Sequence, residues 1–346
     1  MSTIDNEATP SHDHSSISPS AYTLLMMKGD TTIPYAREAA ALLKQAAGAK
    51  HENTPNSGVT PVDYWTRVMH FESRYWSIDQ LLEDQPYTNI LELSSGFSFR
   101  GLALSHRQPV FYIDTDLEGV IAGKQRFVDA LTESSPAPGV TPGDSPGVTP
   151  GDTPGPTPSD TPGHYELQPL NVLDPAAFKK IIARFPPGPI AIVNEGLLVY
   201  LDNAEKECLC ENIRNNLLTR GGCWITADIY LQKQAGSPPV AQSESYRLWQ
   251  EQHKIEEKKF SNIREAEAFF HRMGFTVDKQ ARPNYDRLSS LTRLREASGH
   301  ATTELPTTEL AATELATSEH STSEQPGRTR QHATWRLVAQ KNAAGK

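Results

Sequence analysis

Short apolar segments alternate with helical segments through the middle of the chain, and this alternation constrains the fold more than any other feature. The apolar segments have the length of strands and cover 89–93, 109–114, 164–170, 189–195 and 223–231. A segment of helical periodicity separates each of them from the next. This pattern predicts βαβ units, and therefore a parallel sheet with right-handed crossovers.

Helices are predicted from apolar spacing, early prolines and terminal glycines. They cover 21–29, 33–48, 62–84, 99–106, 117–133, 174–185, 203–220, 241–256 and 263–273. The first three precede the first strand. Two further strands, 275–280 and 332–340, follow without a full helix between them, which predicts an antiparallel pair. The expected fold class is α/β, with a mostly parallel seven-stranded sheet that ends in an antiparallel pair and carries extra N-terminal helices.

Two tandem repeats interrupt this pattern. Residues 134–163 contain an octapeptide repeated three times, and 15 of these 30 residues are Pro or Gly. Residues 302–327 contain Thr/Glu pentapeptides, whose period of five fits neither a helix nor a strand. Neither segment has enough apolar residues to offset its ordering entropy. We expect both, and residues 1–20, to be disordered, which leaves one domain over 21–341.

The charge of the chain lies mostly in these segments. The formal net charge is −9, but residues 1–20 and the two repeats carry eleven acidic residues and no Lys or Arg, so the remainder sums to about +2. A nearly neutral domain gives no reason to expect nucleic acid or a membrane as a partner. The sequence shows no membrane span or signal peptide, and its three cysteines form neither a disulfide framework nor a metal site. We therefore expect a cytoplasmic protein without a metal.

The loop after the first strand has the small residues that a cofactor site needs. It reads Glu92, Leu93, Ser94, Ser95 and Gly96, at the carboxyl end of a strand, where open α/β sheets bind ligands. The glycine fingerprint of dinucleotide binders is absent. A tight turn at Gly96 without any ligand is the alternative interpretation.

Acidic residues follow two more strands. Asp114 and Asp116 end the second strand, where a carboxylate can accept hydrogen bonds from both hydroxyls of a ribose. Capping of the next helix is the alternative role. Glu195 and Gly196 end the fourth strand, and a buried carboxylate there calls for a cationic partner, either a ligand or a structural salt bridge.

These motifs resemble those of one enzyme family. The resemblance is to the leucine carboxyl methyltransferase superfamily, and it rests on ILELSSGFSFRGL (90–102), YIDTDL (112–117) and VNEGLLVYL (193–201), in this order and spacing. The sequence is closer to the bacterial branch, typified by the tetracenomycin polyketide synthesis O-methyltransferase. RYWSID (74–79) is similar to a helix motif of that family. The resemblance implies the Rossmann-like fold of the S-adenosylmethionine-dependent methyltransferases, with S-adenosyl-L-methionine as the cofactor.

The resemblance also implies a set of cofactor-binding residues. They are Arg74, Glu92, Leu93, Ser94, Ser95, Gly96, Asp114, Asp116, Asn171, Val172, Glu195 and Gly196. In the family, the position of Arg74 holds the methionine carboxylate and that of Asp116 the ribose, with Asp114 as the second choice. Glu195 would face the amino group of the cofactor.

The sequence departs from the family pattern in the loop after the first strand and near the adenine. The loop has serines at Ser94 and Ser95, where the family usually has a second glycine, and Asn171 replaces an Asp near the adenine. Val172 stands where the family has Leu. Either departure could weaken cofactor binding.

The expected activity is transfer of a methyl group to an oxygen of a small molecule by in-line displacement. A protein C-terminal carboxyl methyltransferase, a non-catalytic binding module and a nicotinamide oxidoreductase are the alternatives. Tyr200, Asp228, Tyr230 and Arg37 are candidates to face the acceptor, but the sequence assigns no catalytic base and no oligomeric state.

The predicted disorder of the repeats can be tested by deletion. Removing 136–161 and 303–323 should leave the melting temperature and cofactor affinity nearly unchanged, because segments without a core contribute little to either. Thermal unfolding and calorimetry on the doubly deleted chain would check this. A collapse of either quantity would make the repeats part of the fold.

Overall fold

A seven-stranded sheet forms the centre of the protein in a computed structural model. The structure describes residues 18–47, 59–133, 163–233, 244–282, 284–299 and 332–341. Both repeats lie outside these ranges, apart from Gly163, as do residues 1–17. The predictions of disorder and of domain limits for these segments therefore stay predictions.

The strands and helices follow the predicted alternation. The strands are β1 (Asn89–Leu93), β2 (Phe111–Asp116), β3 (His164–Pro169), β4 (Ile190–Asn194), β5 (Gly222–Tyr230), β6 (Phe275–Gln280) and β7 (His332–Ala339). The helices are α1 (Ser18–Lys28), α2 (Ala36–Ala47), α3 (Pro61–Asp84), α4 (Arg100–Arg107), α5 (Glu118–Glu133), α6 (Pro175–Ile182), α7 (Asn203–Arg220), α8 (Glu244–Gln252), α9 (Ile263–Arg272) and α10 (Ser290–Ala297).

The order of the strands is β3-β2-β1-β4-β5-β7-β6. Strands β1 to β5 run parallel to one another. Strand β7 lies between β5 and β6 and is antiparallel to both. This is the Rossmann-like methyltransferase fold with its antiparallel end, and it confirms the predicted fold class. The order reverses between β1 and β4, so both strands end where ligands bind in open α/β sheets.

Alternate side chains of the central strands enter two different cores. Leu91 of β1 and Ile192 of β4 pack on the face that α6, α7 and α9 cover, whereas Ile90 and Val193 pack with residues of α3 on the other face. Because both faces are buried, these strands are apolar along their whole length rather than at every second position. In the described part of the chain, no helix combines the length and the apolar character that crossing a membrane requires.

One helix differs from the sequence prediction. The sequence predicts a long connection without a full helix between β6 and β7, but residues Ser290–Ala297 form α10, which packs on α3. Its N-terminal N–H groups are satisfied from a distance: the buried Glu72 of α3 accepts bonds from the backbone N and the hydroxyl of both Ser289 and Ser290, at 2.6–3.0 Å. A cap supplied by a residue more than 200 positions away leaves no local signal.

A matched pair of glycines tests the packing of α4 against the sheet. A Cβ at Gly101 would lie 2.5 Å from Cδ1 of Tyr112 and 2.6 Å from Cε2 of Tyr165, whereas a Cβ at Gly119 in α5 would meet nothing within 4 Å. Gly101→Ala should therefore lower the free energy of unfolding by about 1–3 kcal/mol. Gly119→Ala should raise it by up to about 1 kcal/mol, because alanine favours helix. Urea unfolding measures both, and equal effects would contradict the packing.

Candidate cofactor cleft

A cleft lies at the carboxyl ends of β1 to β4. It encloses about 1040 Å³ of empty space, the open solvent at its mouth included. Nine of the twelve residues predicted for the cofactor line it, namely Glu92, Ser94, Ser95, Gly96, Asp116, Asn171, Val172, Glu195 and Gly196. The other three, Leu93, Arg74 and Asp114, are buried behind its wall.

The loop after β1 has the backbone conformation of a glycine-rich turn although it contains two serines. Ser94 and Gly96 have φ angles of +49° and +50°, in the left-handed region that non-glycine residues rarely adopt. The hydroxyl of Ser95 accepts a bond of 3.0 Å from Nζ of Lys124, which lies fully buried on α5. The serine therefore anchors the loop to the domain, and the loop keeps its backbone against the cleft.

Asp116 lies at the edge of the cleft with both carboxylate oxygens hydrogen-bonded. One oxygen accepts from the N–H of Gly96 at 2.8 Å and the other from the N–H of Leu117 at 2.7 Å. Burial raises the pKa of the Asp116 carboxyl, and these two backbone bonds oppose the rise. Because a carboxylate has about four acceptor positions, each oxygen retains capacity for one more donor.

Asp114 has a different environment. Its carboxylate accepts bonds from Lys124 at 2.6 Å and from the hydroxyl of Tyr165 at 2.5 Å. Burial raises its pKa to about 6, although Lys124 favours the charged form. Of the two predicted candidates for a ribose, only Asp116 lines the cleft.

The far wall of the cleft comes from the end of β3. Val172 is buried, and its carbonyl accepts a bond of 3.0 Å from the side chain of Asn212 on α7. The side-chain oxygen of Asn171 accepts from the N–H of Leu173 at 3.0 Å. The side-chain oxygen of Asn171 therefore stabilises the turn at 171–173, and the side-chain NH₂ can donate a hydrogen bond to a ligand.

Glu195 lies among three cations at the end of β4. Its carboxylate is 2.7 Å from Nζ of Lys28, 3.6 Å from Nη2 of Arg74 and 3.5 Å from Nη2 of Arg100. Burial raises the pKa of Glu195, but these cations outweigh burial and bring it to about 2. Glu195 therefore forms the structural salt bridge that was one of its two predicted roles. It also lines the cleft.

Lys28 is a cleft residue that the sequence prediction missed. It ends α1 and lines the cleft together with Ala21, Leu24 and Leu25 of the same helix. Burial lowers its pKa, and Glu195 opposes this fall. A lysine in the last turn of a predicted helix usually serves that helix, so its position in the sequence gave no signal of a site.

The residue after Glu195 is a glycine because the Arg74 guanidinium leaves little room for a side chain there. Gly196 has a φ angle of +84°, and a Cβ there would lie 3.0 Å from Nη2 of Arg74. The N–H groups of Gly196, Leu197 and Leu198 all donate to Asp228 of β5, at 2.5–3.1 Å. Asp228 therefore fixes the loop that presents Glu195.

Arg100 joins the charged groups behind the cleft. Its guanidinium is 2.7 Å from Glu92 of β1 and 2.7 Å from Asp79 of α3, besides its contact with Glu195. It also stacks on the ring of Tyr75, 4.1 Å from the centroid. Burial raises the pKa of Asp79 to about 6, against the effect of Arg100. Of the two charged residues of the motif at 74–79, Arg74 thus contacts Glu195 in the wall of the cleft, and Asp79 is linked to that wall through Arg100.

No protein-family model matches the sequence, and no curated protein does. The fold is similar to LepI in complex with SAM, at 11% identity and a TM-score of 0.37, over 76% of this chain and 46% of that one. It is also similar to the mitomycin 7-O-methyltransferase MmcR, at 8% identity and a TM-score of 0.40, over 93% and 67%.

A third similar structure is the magnesium protoporphyrin IX methyltransferase ChlM from Synechocystis PCC 6803 with bound SAH, at 8% identity and a TM-score of 0.38, over 73% and 90%. This chain spans less than half the length of LepI. The resemblance to the leucine carboxyl methyltransferase superfamily stays a prediction.

The low pKa of Glu195 predicts a pH-dependent contribution to stability. A carboxyl whose pKa falls from 4.5 to about 2 on folding stabilises the protein above about pH 4.5 and loses this contribution as the pH falls toward 2. Glu195→Gln should lower the free energy of unfolding by about 3 kcal/mol at neutral pH and by much less near pH 3. Urea unfolding at several pH values measures this.

The matched control is Glu251→Gln. Glu251 pairs with Arg247 on the exposed face of α8, and such a pair contributes at most about 1 kcal/mol. An equal loss for Glu195→Gln at every pH would contradict the ionised, cation-paired state of Glu195.

Proposed function

We propose that this protein is an S-adenosyl-L-methionine-dependent methyltransferase that methylates an oxygen of a small molecule. The observation that carries the proposal is the distribution of polar groups in the cleft. Asp116, the ion pair of Lys28 with Glu195, and apolar side chains all line it. This matches a ligand with a ribose in its middle, an amino acid at one end and a flat base at the other.

The residues present fit the amino-acid end of the cofactor. Nε of Arg74 is buried and has no hydrogen-bond partner within the described ranges. An unsatisfied buried donor is costly, so an incoming acceptor such as a carboxylate would be stabilised there. Lys28 is a second cation near this point, and the Glu195 carboxylate can accept from an ammonium group.

The residues also fit the ribose and the base. Asp116 retains one acceptor position on each oxygen, which suits the two hydroxyls of a ribose diol. Ser94, Ser95 and Gly96 also line the cleft, and their small side chains leave room for a ligand against the backbone of this loop. Val172, Leu197 and Leu201 offer apolar surface for a base, and the Asn171 amide can donate to a ring nitrogen.

The charge of the site suits this ligand. Lys28, Arg74 and Arg100 face four carboxylates, those of Asp79, Glu92, Glu195 and Asp228. The cluster therefore has one net negative charge when all its members are ionised. The cofactor carries a sulfonium, an ammonium and one carboxylate, hence one net positive charge, which the cluster attracts.

When bound, the cofactor supplies an activated methyl group on a sulfonium. The protein then has to align the acceptor oxygen in line with that methyl and to exclude water. Alignment of this kind can lower a barrier by about 7–11 kcal/mol. Leu24 and Leu25 of helix α1 line the cleft, and apolar side chains there would help to exclude water.

Calorimetry with S-adenosyl-L-methionine tests the proposal. The wild type should bind it with micromolar affinity, and Asp116→Ala should weaken binding by about tenfold or more, because two charge-assisted hydrogen bonds are lost. Asp129→Asn, an exposed carboxylate on α5, is the control and should bind like the wild type. Absence of binding by the wild type would refute the proposed function.

A further inference from the structure

A cluster of one phenol ring and two imidazole rings contacts Arg74 through Tyr230, and none of these rings belongs to the cofactor set. Tyr230 ends β5, His70 lies on α3 and His332 begins β7. The ring of Tyr230 is 4.8 Å from that of His332 and 5.9 Å from that of His70. His70 and Tyr230 are partly exposed, as is the neighbouring Phe71. We call these three rings the Tyr230 cluster.

Arg74 connects this cluster to the cofactor cleft. Its Nη1 donates to the Tyr230 hydroxyl at 2.5 Å, while its Nη2 lies 3.6 Å from Glu195. The Tyr230 oxygen is therefore one guanidinium away from the carboxylate that lines the cleft at the end of β4. An acceptor that contacts the Tyr230 cluster would lie next to the end of the cleft where the amino-acid part of the cofactor is proposed.

The two hydrogen bonds of the Tyr230 hydroxyl indicate that its proton would pass to His70 rather than to Arg74. Arg74 can only donate, so one lone pair of the phenolic oxygen is used by Arg74. Nε2 of His70 lies 3.2 Å from the same oxygen. Burial lowers the pKa of His70 well below its ordinary value, and His332, Arg74 and Arg67 add to the fall while Glu195 opposes it. A neutral His70 can accept the Tyr230 proton through Nε2.

We infer that the Tyr230–His70 pair accepts the proton of a phenolic acceptor, so that the acceptor class of the proposed methyltransferase is an aromatic hydroxyl compound. The inference rests on the proposed function. As the acceptor oxygen bonds to the methyl carbon and the bond from sulfur to that carbon breaks, the acceptor proton passes to the Tyr230 oxygen. Tyr230 passes its own proton to His70 Nε2, and the sulfonium becomes a neutral sulfide.

Two observations favour a phenol over a carboxylate as the acceptor. Arg74 already faces two carboxylates, Glu195 at 3.6 Å and Asp228 at 3.7 Å, and the bound cofactor would only neutralise the cluster, so the site has no net positive charge to attract an anionic acceptor. The rings of His70, Phe71 and Tyr230 offer aromatic surface, which favours an aromatic partner over an aliphatic one.

Methyl transfer from radiolabelled S-adenosyl-L-methionine tests the inference, with phenols and benzoic acids that carry the same ring substituents. Transfer to the phenols is expected. With para-methoxyphenol, Tyr230→Phe and His70→Gln should each lower kcat by about 100-fold. With para-nitrophenol, which is largely ionised above about pH 8, the loss should be below about threefold, because an ionised acceptor needs no base.

Controls separate this inference from the proposed function. The KM for the cofactor should stay within about threefold in both variants, and His271→Gln, an exposed histidine on α9, should act like the wild type. Transfer only to benzoic acids, transfer to neither class by a chain that binds the cofactor, or equal losses with both phenols would overturn the inference. Failure of the wild type to bind the cofactor would instead refute the proposed function.

Discussion

The fully buried guanidinium of Arg100 is the interaction on which the rest of the structure depends. It contacts Asp79 of α3, Glu92 of β1 and Glu195 at the end of β4, and it stacks on Tyr75. A helix that precedes the sheet is thereby attached to two of its central strands. Removing one partner of such a buried group is costly, by about 3–5 kcal/mol, because it leaves an uncompensated charge. The position of α3 against the sheet and the geometry of the cleft therefore share one set of ion pairs.

These ion pairs also connect the proposed cofactor site with the proposed acceptor site. Glu195 takes part in the Arg100 cluster and lines the cleft, and Arg74 extends from Glu195 to Tyr230. The proposed positions of the cofactor and the acceptor thus lie next to neighbouring groups on α3, β4 and β5. The balance of charges behind the cleft favours a ligand with a net positive charge, and with such a ligand bound it leaves no net positive charge for an anionic acceptor. The same residues therefore bear on both the proposed cofactor and the proposed phenolic acceptor.

The features that could be predicted from the sequence are those that depend on hydrophobic periodicity and on residues at the ends of strands. Among the described residues, the sequence predicted all seven strands and nine of the ten α-helices. It also brought nine residues to one cleft, because parallel strands deliver their carboxyl ends to one edge. It did not predict α10, whose cap comes from Glu72, or the role of Lys28, which depends on how α1 lies over β4. Arg100 and Lys124 escaped notice for the same reason: a basic residue in a helix shows its buried partners only in three dimensions. The serines at Ser94 and Ser95 departed from the family pattern, yet one adopts a glycine-like φ angle and the other is bound by Lys124.

The most direct test of the account is a crystal structure of the protein with S-adenosylhomocysteine. The account predicts the ribose hydroxyls against the Asp116 carboxylate, the base between Val172 and Leu197, and the amino-acid carboxylate within reach of Arg74 or Lys28. A ligand bound outside the cleft, or one whose ribose contacts neither oxygen of Asp116, would contradict it.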